Sequence, residues 1–321
     1  MLSVYKERIG ANYEITEICQ HICRDFKLGN FLDYKVTLVG YEDFNFALDT
    51  GKGKYFVKIF NKDRTNEDCH RIVGVLEKAL EARVSTPKLF KSNQGHLYQQ
   101  NKLRICVMQY ISGKDLFSLQ TELGAEEIRY LAKQASLINS LDLKPKQIYD
   151  SWAITNFPLE FKQKGDRLGS EDLRLVKPLL SVYRNLHIKT LPHCFVHGDI
   201  IRTNVMKDEK GKLWIIDFSC ANYYPRIQEL AVLACDLFFD KNSSEQSNSN
   251  LEIALKEYQK RIKLTNREIC SLPTYIKLAH AMHVLRANYE KVANGNSSKE
   301  NEHYLQLGRA GLKQMSEQRN Q

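Results

Sequence analysis

No uninterrupted apolar run in the chain reaches the ~18 residues that a bilayer-spanning helix needs. The first fifteen residues, MLSVYKERIGANYEI, lack the apolar core of a secretory signal. Paired CxxC knuckles are missing as well. The eight cysteines (Cys19, Cys23, Cys69, Cys106, Cys194, Cys220, Cys235 and Cys270) are scattered, which excludes a disulfide-stapled miniature domain and a zinc ribbon. A reducing compartment, the cytoplasm, is expected, with no membrane partner. Cys19 and Cys23, one helical turn apart, are expected to pack rather than bind metal. The chain also lacks internal repeats and any ladder of basic and aromatic residues, so the excess of 47 Lys and Arg over 38 Asp and Glu favours anionic partners without making nucleic acid the expected one.

What is present is ordinary globular material. Hydrophobic residues make up 43% and charged residues 26% of 321 positions, so extensive disorder is excluded, and at roughly 150 residues per domain two compact units are expected. Ile15, Ile18, Ile22 and Phe26 recur at helical spacing within residues 12–28. The period then shortens. Leu38-Val39, Phe44 to Leu48 and Tyr55 to Phe60 are β-prone runs separated by Gly40 and by Asp49-Thr50-Gly51-Lys52-Gly53, the pattern of an antiparallel meander. A helix is predicted over Glu67 to Ala82, and further strands at 96–99 and 103–111.

From Leu123 onward the pattern is mostly helical. Ile128, Leu131, Ala132, Ala135 and Ile138 form one stripe, and Leu278, Met282, Leu285, Tyr289 and Val292 another. The polar runs 240–250 and 294–302 read as surface loops. Two short apolar strands, Cys194 to Val196 and Leu213 to Phe218, bracket the segment His197-Gly198-Asp199-Ile200-Ile201-Arg202-Thr203-Asn204. A carboxylate at Asp199, an amide at Asn204 and a second carboxylate at Asp217 are what ATP-dependent phosphoryl transfer requires. One group positions an acceptor hydroxyl and takes its proton, while the other two hold Mg²⁺ against the triphosphate.

His-Gly-Asp with Asn five residues after the Asp, followed by Ile216-Asp217-Phe218, resembles the signature of the aminoglycoside phosphotransferase and choline kinase superfamily. Tyr258 to Thr265, with Glu268 and Leu272-Pro273, resembles its type II homoserine kinase branch more weakly. The resemblance spans approximately residues 35 to 290. It implies an α+β, bilobal, protein-kinase-like fold, with a small β-rich N-terminal lobe over residues 1–108, a hinge over 109–114 and a larger helical lobe over 115–321. By position Asp199 matches the catalytic aspartate, Asn204 and Asp217 the metal ligands, and His197 the histidine supporting the catalytic loop. Lys58 fits the nucleotide lysine of the third strand, with Glu67 favoured narrowly over Asp68 as its acidic partner. Gly40 would open the phosphate-covering turn, and Gln109 and Ile111 would meet the nucleotide at the hinge. The implied cofactors are ATP, with GTP as a second possibility, and Mg²⁺. The chain departs from many relatives at Ile138-Asn139 and at Arg202, positions read as outside the core roles.

The acceptor is expected to be a hydroxyl on a small molecule, an amino alcohol or hydroxy-amino acid. Glu229 and Asp236 share a helical face downstream of Asp217 and are candidates to receive its ammonium group, although Glu229 also matches a family position with a structural role. Arg202 is the candidate partner for an acceptor carboxylate. An aminoglycoside phosphotransferase is the alternative, weighed down by 13 Lys and Arg against 9 Asp and Glu over residues 240–321. A non-catalytic nucleotide-binding or nucleic-acid-binding module ranks last, and the sequence assigns no oligomeric state.

Overall fold

Helix α1 (Ile15–Asp25) buries Ile15, Ile18, Cys19, Ile22 and Cys23, the stripe its helical spacing predicts, in the computed structural model of the chain. The structure describes residues 7–10, 14–37 and 43–317. The chain divides into two compact units. One comprises Met1–Lys114 and Met206–Phe218, the other Asp115–Val205 and Ser219–Gln321. The segment Met206–Phe218, which sequence order places in the C-terminal lobe, therefore packs with the first unit.

In the first unit, strands β1 (Phe31–Thr37), β2 (Phe44–Thr50), β3 (Gly53–Ile59), β4 (Leu89–Phe90), β5 (Tyr98–Gln100) and β6 (Leu103–Gln109) form one antiparallel sheet. Its order is β1-β2-β3-β6-β4, with β5 also on β6. The β1 strand precedes the expected Leu38-Val39, which falls, with Gly40, outside the described residues. Phe46, Leu48, Val57, Ile59, Ile105 and Val107 join the α1 stripe in one core. Each such fully buried aliphatic side chain contributes roughly 2 kcal/mol. Helix α2 (Asn66–Glu81) starts at a reciprocal cap: Thr65 Oγ1 accepts from Asp68 N, and Asp68 accepts from Thr65 N, both at 3.1 Å.

A second sheet orders β10 (Leu213–Ile215), β9 (Val205–Asp208) and β7 (Gly113–Asp115). A Cβ on Gly113 would lie 2.2 Å from the Lys207 carbonyl oxygen, so only glycine fits this backbone approach.

The second unit is mainly helical, with one hairpin-like pair, β8 (His193–Val196) against β11 (Asn222–Pro225). After the short α3 (Leu116–Leu119), α4 (Ala125–Asn139) buries the predicted stripe from Ile128 to Ile138. Then come α5 (Phe157–Lys164), α6 (Ser170–Val176), α7 (Leu179–Asn185), α8 (Ile227–Asp236), α9 (Ser244–Tyr258), α10 (Asn266–Ala293) and α11 (Lys299–Glu317). Two expected loops are corrected. Most of 240–250 is helix, because Ser243 caps α9 by accepting from Gln246 N and the helix buries Ala254 and Tyr258 further along. The 294–302 run is irregular only until α11 begins at Lys299. The α10 stripe holds through Leu285, but Val292 ends 56% exposed. All eight cysteines are free thiols, and no group of His, Cys, Asp and Glu that could hold a metal occurs among the described residues.

Candidate active site

Strand β3 places Lys58 opposite Asn45 of β2 and Cys106 of β6. Its neighbours Val57 and Ile59 are fully buried toward α1, so strand alternation turns Lys58 to the other face. There its Nζ lies 3.4 Å from Asp43 Oδ2 and 3.6 Å from Asp217 Oδ1. Burial opposes the lysine charge, but Asp217 and Asp43 outweigh it and hold the ammonium above the ordinary lysine value.

Asp217 follows β10, which is anchored by Ile215 N donating to the Ser85 carbonyl at 2.7 Å and Ser85 Oγ donating to the Leu213 carbonyl at 2.8 Å. Asp217 has φ 62°, a left-handed conformation that costs a non-glycine residue roughly 1 kcal/mol, and its side chain is 39% exposed.

The acidic partners of Lys58 are a correction to the Glu67 and Asp68 alternatives. Asp68 is committed to the Thr65 cap, Glu67 is exposed on the first turn of α2, and the carboxylates at the lysine come from Asp43 and Asp217. At the end of the first unit, Gln109 N donates to the Lys88 carbonyl at 2.8 Å and Ile111 is 7% exposed.

In the second unit, β8 delivers the chain into the loop 197–204. His197 is fully buried, and its Nδ1 accepts from Asp199 N at 3.2 Å, so the imidazole braces the loop backbone and carries its ring proton on Nε2. Asn204 Nδ2 donates to Asp199 Oδ2 at 2.6 Å and to the Asp199 carbonyl at 3.0 Å. Thr203 Oγ1 lies 3.2 Å from the Tyr304 hydroxyl, whose ring centroid is 5.1 Å from His283 and 6.1 Å from Trp152. Burial pushes the His283 imidazole down to about 3, and the Arg286 guanidinium lies 5.4 Å from the Trp152 ring centroid.

Both acidic acceptor candidates are corrected. Glu229 is fully buried and accepts from His197 N at 2.6 Å, Gly198 N at 3.2 Å and Asn139 Nδ2 at 3.2 Å. Asp236 is also fully buried and accepts from Arg202 N at 2.8 Å. Burial pushes their carboxyls up to about 7 and about 6 respectively. Both carboxylates are buried against the loop 197–204 and bond its backbone amides, so neither is exposed to a substrate ammonium. Arg202 is 8% exposed and its guanidinium donates to the Thr121 carbonyl at 3.1 Å and to Glu122 at 3.4 Å, tying it to the segment between α3 and α4.

Asn139 is also more than a neutral departure. It donates to the Phe195 carbonyl at 3.0 Å as well as to Glu229, and accepts from the Tyr258 hydroxyl at 2.7 Å. The contacts of Asn139, Tyr258 and Asp43 were not anticipated from the sequence. No local pattern marks them, since each acts through partners far along the chain.

Each unit thus carries its own cluster, a lysine held by two carboxylates in the first and an Asp–Asn loop braced by histidine in the second. The chain belongs to the phosphotransferase enzyme family, whose model matches residues 34–262. It is 23% identical over 252 residues to a homoserine kinase of Zymomonas mobilis subsp. mobilis, covering 75% of both chains. Among solved structures, spectinomycin phosphotransferase in complex with ADP and spectinomycin superposes with TM-score 0.65 at 12% identity, over 94% of this chain and 98% of that one. A choline kinase from Streptococcus pneumoniae gives TM-score 0.64 at 15% identity, over 94% and 99%. The fold is thus kinase-like, with a β-rich N-terminal part and a helical C-terminal part.

Proposed function

We propose that the protein transfers the γ-phosphoryl group of ATP to the hydroxyl of a small amino alcohol or hydroxy-amino acid, as a homoserine-kinase-like enzyme. The observation that carries the reading is the Asn204 amide bound to the Asp199 carboxylate at 2.6 Å, which holds that carboxylate in one orientation within the loop. The homoserine kinase relatives support the acceptor class. The burial of Glu229 and Asp236 removes the carboxylates expected to receive the acceptor's ammonium group, so the acceptor class rests on those relatives.

In this reading Asp199 orients the acceptor hydroxyl and takes its proton as the oxygen–phosphorus bond forms and the bond to the ADP oxygen breaks. Lys58 meets the α- and β-phosphates, and Gln109 and Ile111 flank the nucleotide base. With its amide nitrogen committed to Asp199, Asn204 retains a carbonyl oxygen, and Asp217 offers an exposed carboxylate. Hard oxygen donors of this kind fit Mg²⁺, which when bound neutralises phosphate charge. Eight free thiols support a reducing compartment such as the cytoplasm, and no helix among the described residues is long and apolar enough to cross a membrane.

The test is incubation with MgATP or MgGTP and a panel of hydroxy-amino acids, amino alcohols and aminoglycosides, with products identified by mass spectrometry. Phosphorylated homoserine or a comparable monoamine is expected. Phosphorylation of aminoglycosides alone would overturn the acceptor class, and no nucleotide-dependent product with any acceptor would overturn the kinase reading.

A further inference from the structure

Asp43 stands at the entrance to β2 with only 4% of its surface exposed, and a carboxylate so far from water needs compensation from several donors. It has them. Oδ1 accepts from Asn61 N at 3.0 Å and from Arg64 Nε at 2.9 Å, and Oδ2 faces the Lys58 ammonium at 3.4 Å. Arg8 Nη1 donates to the Asp43 carbonyl at 2.9 Å, so the backbone is held at the same residue. One buried carboxylate is therefore bracketed by two cations and tied to the turn that follows β3.

The two carboxylates at Lys58 differ in kind. Asp217 is 39% exposed and is the group proposed above to face the metal, whereas Asp43 is enclosed and fixed by its own donors. A lysine ammonium on a flexible four-carbon stem is positioned by whichever partner cannot move. We propose that Asp43 is the positioning residue of Lys58, holding the ammonium in place for the nucleotide phosphates. The inference rests on the reading of Lys58 as the phosphate-binding lysine. It assigns to a strand-entry aspartate the task that the family resemblance gave to an acid of α2.

The experiment measures affinity of the full chain for a non-hydrolysable ATP analogue with Mg²⁺ by calorimetry. The variants are Lys58→Met, Asp43→Asn, their double variant, and Asp49→Asn as a charge control on the exposed pair with Lys54 in the same sheet. Asp43→Asn is expected to weaken binding about tenfold, the scale of one charge-assisted hydrogen bond, and Asp49→Asn less than twofold. In the Lys58→Met background Asp43→Asn should cost no further affinity, because its effect passes through the lysine. If neutralising Asp43 beside Arg64 prevents folding, Asp43→Glu alone and with Lys58→Met makes the same comparison, with a loss expected only when the lysine is present. An unchanged affinity in the Asp43 variants, or an equal loss with and without Lys58, overturns the inference. An unchanged affinity in Lys58→Met overturns the underlying reading of the lysine instead.

Discussion

Asn204 Nδ2 bonds both the side chain and the carbonyl of Asp199, at 2.6 and 3.0 Å, so the loop between them is closed by its own last residue. The carboxylate is thereby oriented before any substrate binds. Asp199→Asn keeps an acceptor oxygen for Asn204 but cannot take a proton. Turnover is expected to fall at least ~10²-fold while nucleotide affinity stays within a factor of about two. Steady-state kinetics beside a nucleotide titration checks it, and near-native turnover would remove Asp199 from the chemistry.

Asp217 has a backbone that glycine adopts freely and alanine resists. Asp217→Gly should accordingly be more stable than Asp217→Ala by about 1 kcal/mol, although the two lose the same carboxylate. Both should bind MgATP weakly. Urea unfolding separates the two effects, and equal stabilities would show that the left-handed turn relaxes without cost.

Glu229 carries a pH signature. Its usual carboxyl value is 4.5, and burial raises it to about 7 in the folded protein. Between those values the unfolded chain has released the proton that the folded chain still holds, so this group's contribution to stability declines as pH rises from about 4.5 to about 7. His280 and His283, lowered by burial from 6.5 to about 3, act in the opposite sense and favour the folded state as pH rises from about 3 to about 6.5. Comparing the wild type with Glu229→Gln isolates the acid: the stability difference should shift against the wild type between pH 5 and pH 7.5. A difference independent of pH would mean the carboxyl is ionised throughout. Glu229→Ala, which leaves the His197 and Gly198 amides without their acceptor, should cost roughly 3 kcal/mol and turnover with it.

Gly311 of α11 faces His280 of α10 so closely that an added Cβ would sit 2.2 Å from the imidazole. Gly311→Ala should destabilise the protein by roughly 2 kcal/mol through overpacking. Adding His280→Ala to it should recover stability relative to the sum of the single changes, because the clash disappears with the ring. A thermal-melt series of the four proteins tests this, and strict additivity would place the strain elsewhere.

Local pattern accounts for much of what was legible beforehand. The α1 and α4 stripes and the β2–β3 hairpin were visible because a helix or strand repeats its buried face within a few residues. The segment His197 to Asn204 was visible because its partners are near in sequence: Asp199 and Asn204 meet across a single loop. Polarity misled at 240–250, where a surface helix carries few apolar residues until Ala254 and Tyr258. Glu229 and Asp236 were correctly placed on one helix, yet the direction in which that helix points was not in its periodicity.

The sequence by itself determined the class of the protein, its helical and strand periods and the groups that meet within the loop 197–204, all of which depend on neighbours within about ten residues. Tertiary structure decided which carboxylates serve the loop and which face Lys58. Glu229 reaches back to His197, Asn139 to Phe195 and Tyr258, and Asp43 to Asn61 and Arg64. A buried charge has to be matched by whatever donors the folded chain brings beside it, and those donors are chosen by long-range packing rather than by spacing along the chain.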